Sequence, residues 1–249
     1  MSGHSKWHSI KHKKGAADAK RGKIFTKHAK LITIAARDGV ADPEMNPGLR
    51  SAIINARGDN VPNANIEKAI KKGSGDDKDA AAFVEIMYEG FGPCGTAVLV
   101  QSITDNKNRA LTSIKTAFNK NGGNFGEAGT VGWMFDRKGL ILAKAPEGNA
   151  DDIEMMIIEA GAEDLDNSDG EYEITTADSD LMKVRDELEK QGFEVKKAEL
   201  TYLPQNPVKI ETLGDAQKVL KFIDALEDDE EVANVYSNFD IPEEFLEQI

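Results

Sequence analysis

The chain has 249 residues, 40% of them hydrophobic and 30% charged, which is typical of a globular protein with one large domain or two to three small ones. No apolar run is long enough to cross a bilayer, and the charged first residues do not resemble a secretory signal. A single cysteine cannot form an internal disulfide or hold zinc alone. We therefore expect a soluble, cytoplasmic protein with no membrane partner.

The formal net charge of −13 is unevenly distributed along the chain. Residues 1–75 carry a net charge of +9, whereas residues 76–249 carry −22. Within residues 1–30, nine lysines and arginines accompany one carboxylate, and all four histidines lie there too. Such a segment favours a polyanionic partner, because each neutralised phosphate releases a condensed counterion. We expect the basic end to contact nucleic acid while the acidic remainder repels it.

Residues 1–15 are interpreted as a basic arm. His4, His8 and His12 would share one face of a helix, but the surrounding lysines oppose a divalent cation and no cysteine lies nearby. We therefore expect a polar arm without a metal. Trp7 either stacks on an unpaired base or packs on the helices that follow. The candidate nucleic-acid contacts in the arm are Lys6, Trp7, Lys11, His12, Lys13 and Lys14.

Residues 16–75 have the pattern of a helical domain. In its first helix, residues 16–37, an apolar stripe through Ile24, Leu31 and Ala35, flanked by Phe25 and Ile32, is expected to face the core. Lysines at three- and four-residue spacing form the other side. The candidate phosphate contacts on this helix are Lys20, Arg21, Lys23 and Lys27.

Two further helices complete this predicted domain. The second is expected to begin near Pro47 and the third after Pro62, since proline suits a first helical turn. The third helix turns Lys68, Lys71 and Lys72 outward. Three amphipathic helices can share one small core, and a glycine-rich linker at 73–78 ends the domain.

The rest of the chain predicts two small domains of mixed strands and helices. Residues 80–136 give a β-β-α-β string, with strands at 83–88, 96–101 and 131–135. Residues 137–204 alternate strand and helix, ending in a long strand at 193–203. The last helix and strand, within 205–249, cannot bury a core alone. We expect them to complete the first string, so that 80–136 plus 205–249 form one discontinuous α+β domain and 137–204 are inserted.

No catalytic constellation is evident. The histidines all lie in the basic N-terminal segment, and Cys94 has no histidine near it in sequence. The glycine-rich stretch at 126–132 lacks a following Gly-Lys-Ser/Thr, so a nucleotide-binding loop is not expected. We expect no enzyme activity, no cofactor and no small-molecule substrate.

The run Glu227–Glu231 consists of five consecutive carboxylates. Such a run is usually a solvated helix end. Alternatively, it keeps polyanions away from this end of the chain or meets a basic partner.

Four motifs closely resemble the YebC/PmpR family, and the similarity extends over essentially the whole chain. They are Gly3–Trp7, Lys20–Lys27, Tyr88–Pro93 and Asn106–Arg109. The resemblance implies an α+β fold in which an N-terminal three-helix domain is followed by two small ferredoxin-like sandwich domains, one inserted into the other. It adds Arg109 to the candidate contacts. Where the family usually has Gly-Pro-Gly-Gly-Thr, this chain has Cys94 at the third position.

The family includes DNA-binding transcriptional regulators, and other members, among them a mitochondrial translational activator, are similar to translation factors that act at the ribosome. We therefore expect a non-enzymatic, nucleic-acid-binding regulator of transcription. The alternative is a ribosome-associated translation factor that binds ribosomal or transfer RNA, because a basic arm with an aromatic residue suits RNA. A different class, a protein-interaction module, would use the acidic surfaces after residue 75.

Overall fold

The computed structural model describes residues 18–75, 83–168, 170–246 and 248–249. The arm predicted at residues 1–15, with Lys6, Trp7, Lys11, His12, Lys13 and Lys14, lies outside the described residues. The fold is α+β, as predicted, with three helices first and sheets combined with further helices after them. Within the described ranges, no helix has the length and apolarity needed to cross a membrane.

The chain groups into two compact units. One is built from the described residues within 24–80 and 137–202, and the other from those within 1–23, 81–136 and 203–249. The finer division into a helical domain and two α+β domains stays a prediction.

Three helices open the described chain: α1 (Asp18–Asp38), α2 (Pro47–Gly58) and α3 (Asn63–Gly73). The side chain of Asn46 caps α2 by accepting a hydrogen bond from the N–H of Leu49, and Pro47 occupies the first turn as predicted. The three helices share a small core formed by Ile32, Ala36, Leu49, Ile53, Ala56, Val61, Ile66 and Ala69.

The apolar stripe predicted for α1 lies beside the most buried face: Ile24, Leu31 and Ala35 are half-buried, and Ile32, expected on the flank of the stripe, is in the core. The buried face of α1 is carried by His28, Ile32 and Ala36, which are 4%, 0% and 2% exposed. A hydrophobic pattern does not count histidine as a core residue, so the stripe was drawn on the neighbouring face.

The first unit also contains a four-stranded sheet with two helices. Its elements are β4 (Phe135–Lys144), α5 (Ala150–Ala160), β5 (Asp164–Ser168), β6 (Glu171–Ala177), α6 (Leu181–Lys190) and β7 (Glu194–Pro204). The strand order is β5-β6-β4-β7. Strand β5 was not predicted, because it is a short, polar edge strand without apolar alternation.

Helix α2 covers the free edge of β7. The side-chain amide of Asn55 accepts a hydrogen bond from the N–H of Ala198 and donates one to its carbonyl, both at 2.9 Å. Ser51 donates to the same carbonyl at 2.5 Å. A Cβ on Gly58 would lie 2.7 Å from the carbonyl oxygen of Lys196, so α2 approaches this strand at a glycine. These contacts satisfy backbone groups that an open sheet edge would leave unpaired.

The second unit contains the other four-stranded sheet. Its elements are β1 (Val84–Phe91), β2 (Ala97–Thr104), α4 (Lys107–Lys120), β3 (Asn124–Phe125), α7 (Leu213–Glu227) and β9 (Val232–Ser237). The strand order is β3-β1-β2-β9, so the late strand β9 pairs with β2. The short strands β8 (Val208–Lys209) and β10 (Phe239–Asp240) pair in parallel, and α8 (Glu243–Leu246) follows. Phe118 and Phe222 meet edge to face in the core, with centroids 5.3 Å apart.

The strand predicted at 131–135 is wrong. Residues Gly132–Met134 form a 3₁₀ turn, and Phe135 begins β4 of the other sheet. The edge next to β1 is taken by β3. The physical reason is the side chain of Glu89, which binds the backbone N–H groups of this segment and prevents them from entering a strand ladder.

Candidate nucleic-acid interface

The predicted cationic face of helix α1 is only partly described. Lys20 and Arg21 lie in its first turns, but their side chains fall outside the description. Lys23 and Lys27 follow at three- and four-residue spacing, which places them on the same side of the helix. Both are half-buried.

Lys23 is held at the end of helix α7. Its Nζ donates a hydrogen bond to the backbone carbonyl of Glu227. Burial lowers the pKa of Lys23 below its ordinary value, and this effect outweighs the opposing charges of carboxylates such as Asp228 and Asp229. Since those carboxylates already surround the ammonium, a phosphate that bound Lys23 would meet them.

Lys27 faces a charged cluster in the first unit. Its charge acts on Asp59 and on Glu199, and it contributes to lowering the pKa of both carboxyl groups. Glu199 also pairs with Lys197 at 2.7 Å. Burial lowers the pKa of Lys197, but Glu199 and the neighbouring carboxylates raise it by more, so the net direction is upward.

His28 and Asp59 form a hydrogen-bonded pair in this cluster. Their Nε2 and Oδ2 atoms are 2.6 Å apart, and His28 is 4% exposed. Burial would raise the pKa of Asp59, but the hydrogen bond and charge of His28, with the charges of two nearby lysines, lower it overall. The Nδ1 atom of His28 has no hydrogen-bond partner in the described part of the chain. His28 is therefore a core residue rather than a nucleic-acid contact. Its hydrogen bond to Asp59 connects α1 to the end of α2.

Arg109 is exposed but already occupied. Its side chain is 54% exposed, its Nε donates to Glu231, and its NH2 group lies 2.7 Å from Asp105. These hydrogen bonds, Glu231 first, raise the pKa of Arg109. The groove beside it, about 760 Å³, also contains Asp229. A phosphate reaching Arg109 would meet these carboxylates, and the role assigned to Arg109 by resemblance stays a prediction.

The carboxylate run Glu227–Glu231 is more than a solvated helix end. Glu231 is 8% exposed, and its carbonyl accepts a hydrogen bond from Ser102 at 2.6 Å. Asp229 accepts one from Ser113 at 2.5 Å. The basic partners of this acidic turn, as we name residues 227–231, are cations of the same chain.

The motif residues Glu89, Gly90 and Asn106 of the second unit have structural roles. The carboxylate of Glu89 accepts hydrogen bonds from the N–H groups of Gly129, Val131 and Gly132 at 2.9, 2.7 and 2.7 Å. A Cβ on Gly90 would lie 2.5 Å from a backbone oxygen of β3. The Asn106 side chain caps α4. The fold therefore requires a carboxylate at Glu89 to bind the loop, a glycine at Gly90 to allow the close approach of β3, and a capping side chain at Asn106.

Cys94 occupies a backbone conformation that favours glycine. It has φ 61° in the tight turn between β1 and β2. Burial, followed by the charge of Asp215, raises the pKa of its thiol. A residue with a Cβ costs about 1–2 kcal/mol in this region, which the greater freedom of glycine in the unfolded chain partly offsets.

Cys94→Gly is therefore expected to raise the free energy of unfolding by about 0.5–1 kcal/mol. Urea unfolding under reducing conditions measures this change. Gly95→Ala, at the neighbouring φ of 72°, is the control and should destabilise the protein. A destabilised Cys94→Gly variant would contradict the strain argument.

Three exposed side chains were not among the candidate contacts selected from sequence, two of them on α3 and one in the second unit. Lys68 and Lys71 of α3 are exposed and have no carboxylate partner among the described residues. Their outward spacing was visible in the sequence. Trp133 is 64% exposed on the loop bound by Glu89, with its Nε1 donating to the carbonyl of Thr130 at 3.2 Å. No sequence pattern distinguished it from a core tryptophan.

A metal centre has no support in the described ranges, where no group of three or more histidine, cysteine, aspartate and glutamate side chains could hold an ion. His4, His8 and His12 lie outside those ranges.

The fold and charge pattern define an α+β protein with a basic helical N-terminal region and an acidic remainder. The model of the TACO1/YebC N-terminal domain matches residues 5–76, and the model of the TACO1/YebC second and third domains matches residues 83–239. The chain belongs to the TACO1/YebC family, which confirms the resemblance inferred from sequence.

Relatives and a solved structure agree with this assignment. A probable transcriptional regulatory protein of Geotalea uraniireducens is 51% identical, and one of Fusobacterium nucleatum is 48% identical, each covering 100% of both chains. The crystal structure of a conserved hypothetical protein from Aquifex aeolicus is 42% identical, with a TM-score of 0.83 over 91% of this chain and 93% of that one. The protein is thus a member of a family of probable transcriptional regulators.

Proposed function

We propose that the protein is a non-catalytic regulator of gene expression that binds nucleic acid, with DNA as its target. The observation that carries the proposal is the charge division, +9 over residues 1–75 and −22 over residues 76–249. The names of the relatives, probable transcriptional regulatory proteins, support DNA as the polyanion.

In this proposal the arm and the first turns of α1 carry the contact. Lys23 and Lys27 already have carboxylate neighbours, so the phosphates are bound mainly by the arm lysines together with Lys20 and Arg21. Exposed Lys68 and Lys71 add positive charge on α3. The acidic remainder repels the duplex, which keeps the footprint narrow.

The proposal predicts that the affinity for duplex DNA falls with salt concentration, and that this fall depends on the lysines of the arm. We expect replacement of Lys6, Lys11, Lys13 and Lys14 by alanine to flatten the slope of log K against log salt by about three to four, since each phosphate contact on B-DNA contributes about 0.9. Fluorescence anisotropy of the full chain with a labelled 30-base-pair duplex, from low to moderate salt, measures this slope. The matched control replaces four exposed lysines of the acidic remainder: Lys107, Lys115, Lys120 and Lys221.

If the control variant flattens the salt slope equally, duplex binding depends on net charge and the arm is not the specific contact. Co-sedimentation with ribosomes, using the same two variants, separates DNA from RNA as the target. If the protein sediments with ribosomes only when its arm is intact, and does not bind the duplex, the proposed role in transcription is wrong and a role in translation takes its place. Binding to neither polyanion would leave a protein-interaction module.

A further inference from the structure

Helix α5 is apolar on its exposed side as well as on its buried one. Ile153, Ile157 and Ala160 enter the core of the first unit. Met155 and Ile158 lie on the opposite side, three positions apart, and are 62% and 59% exposed. A surface helix normally carries polar residues on the side away from the core. The fold itself therefore does not need this exposed apolar pair, as we name Met155 and Ile158.

The exposed apolar pair lies on a helix whose two ends are fixed. The side chain of Asn149 caps the start by accepting a hydrogen bond from the N–H of Asp151 at 3.4 Å. At the other end, the N–H of Gly161 donates to the carbonyl of Ile158 at 3.0 Å. A partner would meet a preformed surface, so little binding free energy is lost in ordering the helix.

The carboxylates of α5 surround the exposed apolar pair. Each lies three or four positions from Met155 or Ile158 and is therefore its neighbour on the helix surface. They are Asp151, Asp152, Glu154 and Glu159. Helix α5 contains no lysine, arginine or histidine, and no cation among the described residues is paired with these four side chains.

The sequence on both sides of α5 also lacks cations. Residues 145–182 contain thirteen carboxylates and no lysine, arginine or histidine. Two of those carboxylates, Glu163 and Glu171, pair with lysines of β4 and β7. The others leave a large excess of negative charge on this part of the first unit.

Helix α6 packs against α5 and does not reverse this charge. It carries three carboxylates and three cations. Its buried Arg185 and its Lys190 are both paired with carboxylates of the same helix. Lys183 on α6 and Lys144 at the end of β4 are exposed, but two lysines do not offset the four carboxylates of α5.

The excess negative charge selects among the possible partners. It repels a nucleic acid and an anionic lipid surface. Two copies of this chain that met face to face at α5 would bring two sets of four carboxylates together, because such a contact pairs the same surface of both copies. A protein segment with apolar residues on one side and lysine or arginine beside them matches both features of the helix.

We propose that the outer face of α5 binds a basic amphipathic segment of another protein. Met155 and Ile158 contact its apolar side chains, and the four carboxylates of α5 pair with its lysine and arginine side chains. This site is separate from the nucleic-acid contact and goes beyond the proposed regulator function. It allows the protein to hold a basic partner protein while its N-terminal region binds a polyanion.

The test observes the methionine methyl groups of the full chain by NMR after carbon-13 labelling. The probe is a synthetic helical peptide of about four turns, with a leucine stripe flanked by lysine and arginine. We expect it to shift the methyl signal of Met155 and not that of Met45, which is 71% exposed in the basic helical region. Two comparison peptides carry serine in place of leucine, or glutamine in place of the cations. Each should need an at least tenfold higher concentration for the same shift.

Variants of the full chain then test both features of the site by anisotropy of the labelled probe. We expect Met155→Ser/Ile158→Ser to weaken binding at least tenfold, and the control Leu111→Ser on α4, where Leu111 is 41% exposed, to change it less than twofold. Neither variant changes the net charge.

A second pair of variants tests the carboxylates. Asp151→Asn/Asp152→Asn/Glu159→Gln should weaken binding of the probe, most strongly at low salt. The matched control, Glu127→Gln/Glu211→Gln/Glu244→Gln, neutralises three exposed carboxylates of the second unit and should have a smaller effect. All the changed side chains are exposed, so the variants should keep the thermal midpoint.

The proposal is wrong if the probe does not shift Met155, if it shifts Met45 equally, or if a comparison peptide binds as tightly. It is also wrong if the control variants lose as much affinity as the variants of α5. A Met155 signal that moves with duplex DNA would assign the face to nucleic acid, and one that moves with protein concentration alone would assign it to a second copy. Loss of duplex binding in the arm variant alters none of these readouts, so this proposal and the proposed function fail separately.

Discussion

Glu89→Ala is expected to lower the free energy of unfolding by about 3 kcal/mol, because hydrogen bonds to a charged acceptor are each worth about 1.5–3 kcal/mol and are not additive. The carboxylate of Glu89 accepts three backbone N–H groups of the loop that ends at Gly132. Without it, those donors lose their partner and the loop loses its anchor. Urea unfolding at pH 7 measures the loss.

The pH dependence follows from the same hydrogen bonds. Burial would raise the pKa of Glu89, but the backbone N–H groups of Gly129, Val131 and Gly132 lower it overall. The stabilisation is therefore complete above the unfolded pKa of about 4.3 and is lost as the pH falls through the lower folded pKa. Glu89→Gln, which keeps one acceptor oxygen and cannot titrate, should show a flatter stability profile between about pH 5 and 3.

Tryptophan fluorescence distinguishes release of the loop bound by Glu89 from a loss of stability of the whole protein. In a Trp7→Phe background Trp133 is the remaining tryptophan, and acrylamide quenching of its fluorescence should rise in Glu89→Ala before any unfolding. The control is Glu127→Gln, an exposed carboxylate in the same loop. An equal effect of Glu127→Gln, or an unchanged pH profile in Glu89→Gln, would show that the anchor does not stabilise the fold.

Local signals sufficed to predict most elements. Helix α2 begins at Pro47 and α4 is capped by Asn106, as proline and asparagine at those places indicate. Long apolar periodicities and side-chain caps are encoded within a few residues, so they are readable without the tertiary structure.

The misassigned features all depend on contacts between distant residues. Glu89 lies about 40 positions before the loop it binds, so nothing near residues 131–135 shows that they cannot form a strand. His28, which a hydrophobic pattern does not count as a core residue, is buried on α1 and paired with Asp59, 31 residues away. Tertiary hydrogen bonds thus overrode local propensity in both cases.

The sequence predicts that positive charge is concentrated in the candidate interface, but it does not predict which of these cations are available for binding. Residue type identifies the cations of α1, but it does not show which are neutralised inside the fold. Lys23 and Arg109 meet the acidic turn, which lies more than 120 residues further along the chain. The sequence left open whether this turn is solvated, keeps polyanions away or has a basic partner; in the structure Asp228 and Glu230 are exposed, while the turn also contacts two cations of the same chain.

The contact between Lys23 and the acidic turn predicts a large effect on binding. If Lys23 contributes to nucleic-acid binding, its carboxylate neighbours compete with phosphate. We expect Asp228→Asn/Glu230→Gln, which neutralises two exposed carboxylates of the turn, to tighten duplex binding about five- to tenfold at low salt. A tenfold change corresponds to about 1.4 kcal/mol. Anisotropy titrations of the full chain measure it.

A double-mutant cycle distinguishes local competition from net charge. In a Lys23→Gln background the gain should fall below about twofold, since the two changes act through one contact. The matched control, Asp151→Asn/Asp152→Asn on α5, removes the same charge from an exposed helix and should change affinity less than twofold, because the carboxylates that act on Lys23 are those of the acidic turn. Equal gains from the two double variants, or an undiminished gain without Lys23, would mean that the acidic turn acts only through overall charge. A gain that requires Lys23 would make the turn an internal competitor that sets how tightly the basic end holds its ligand.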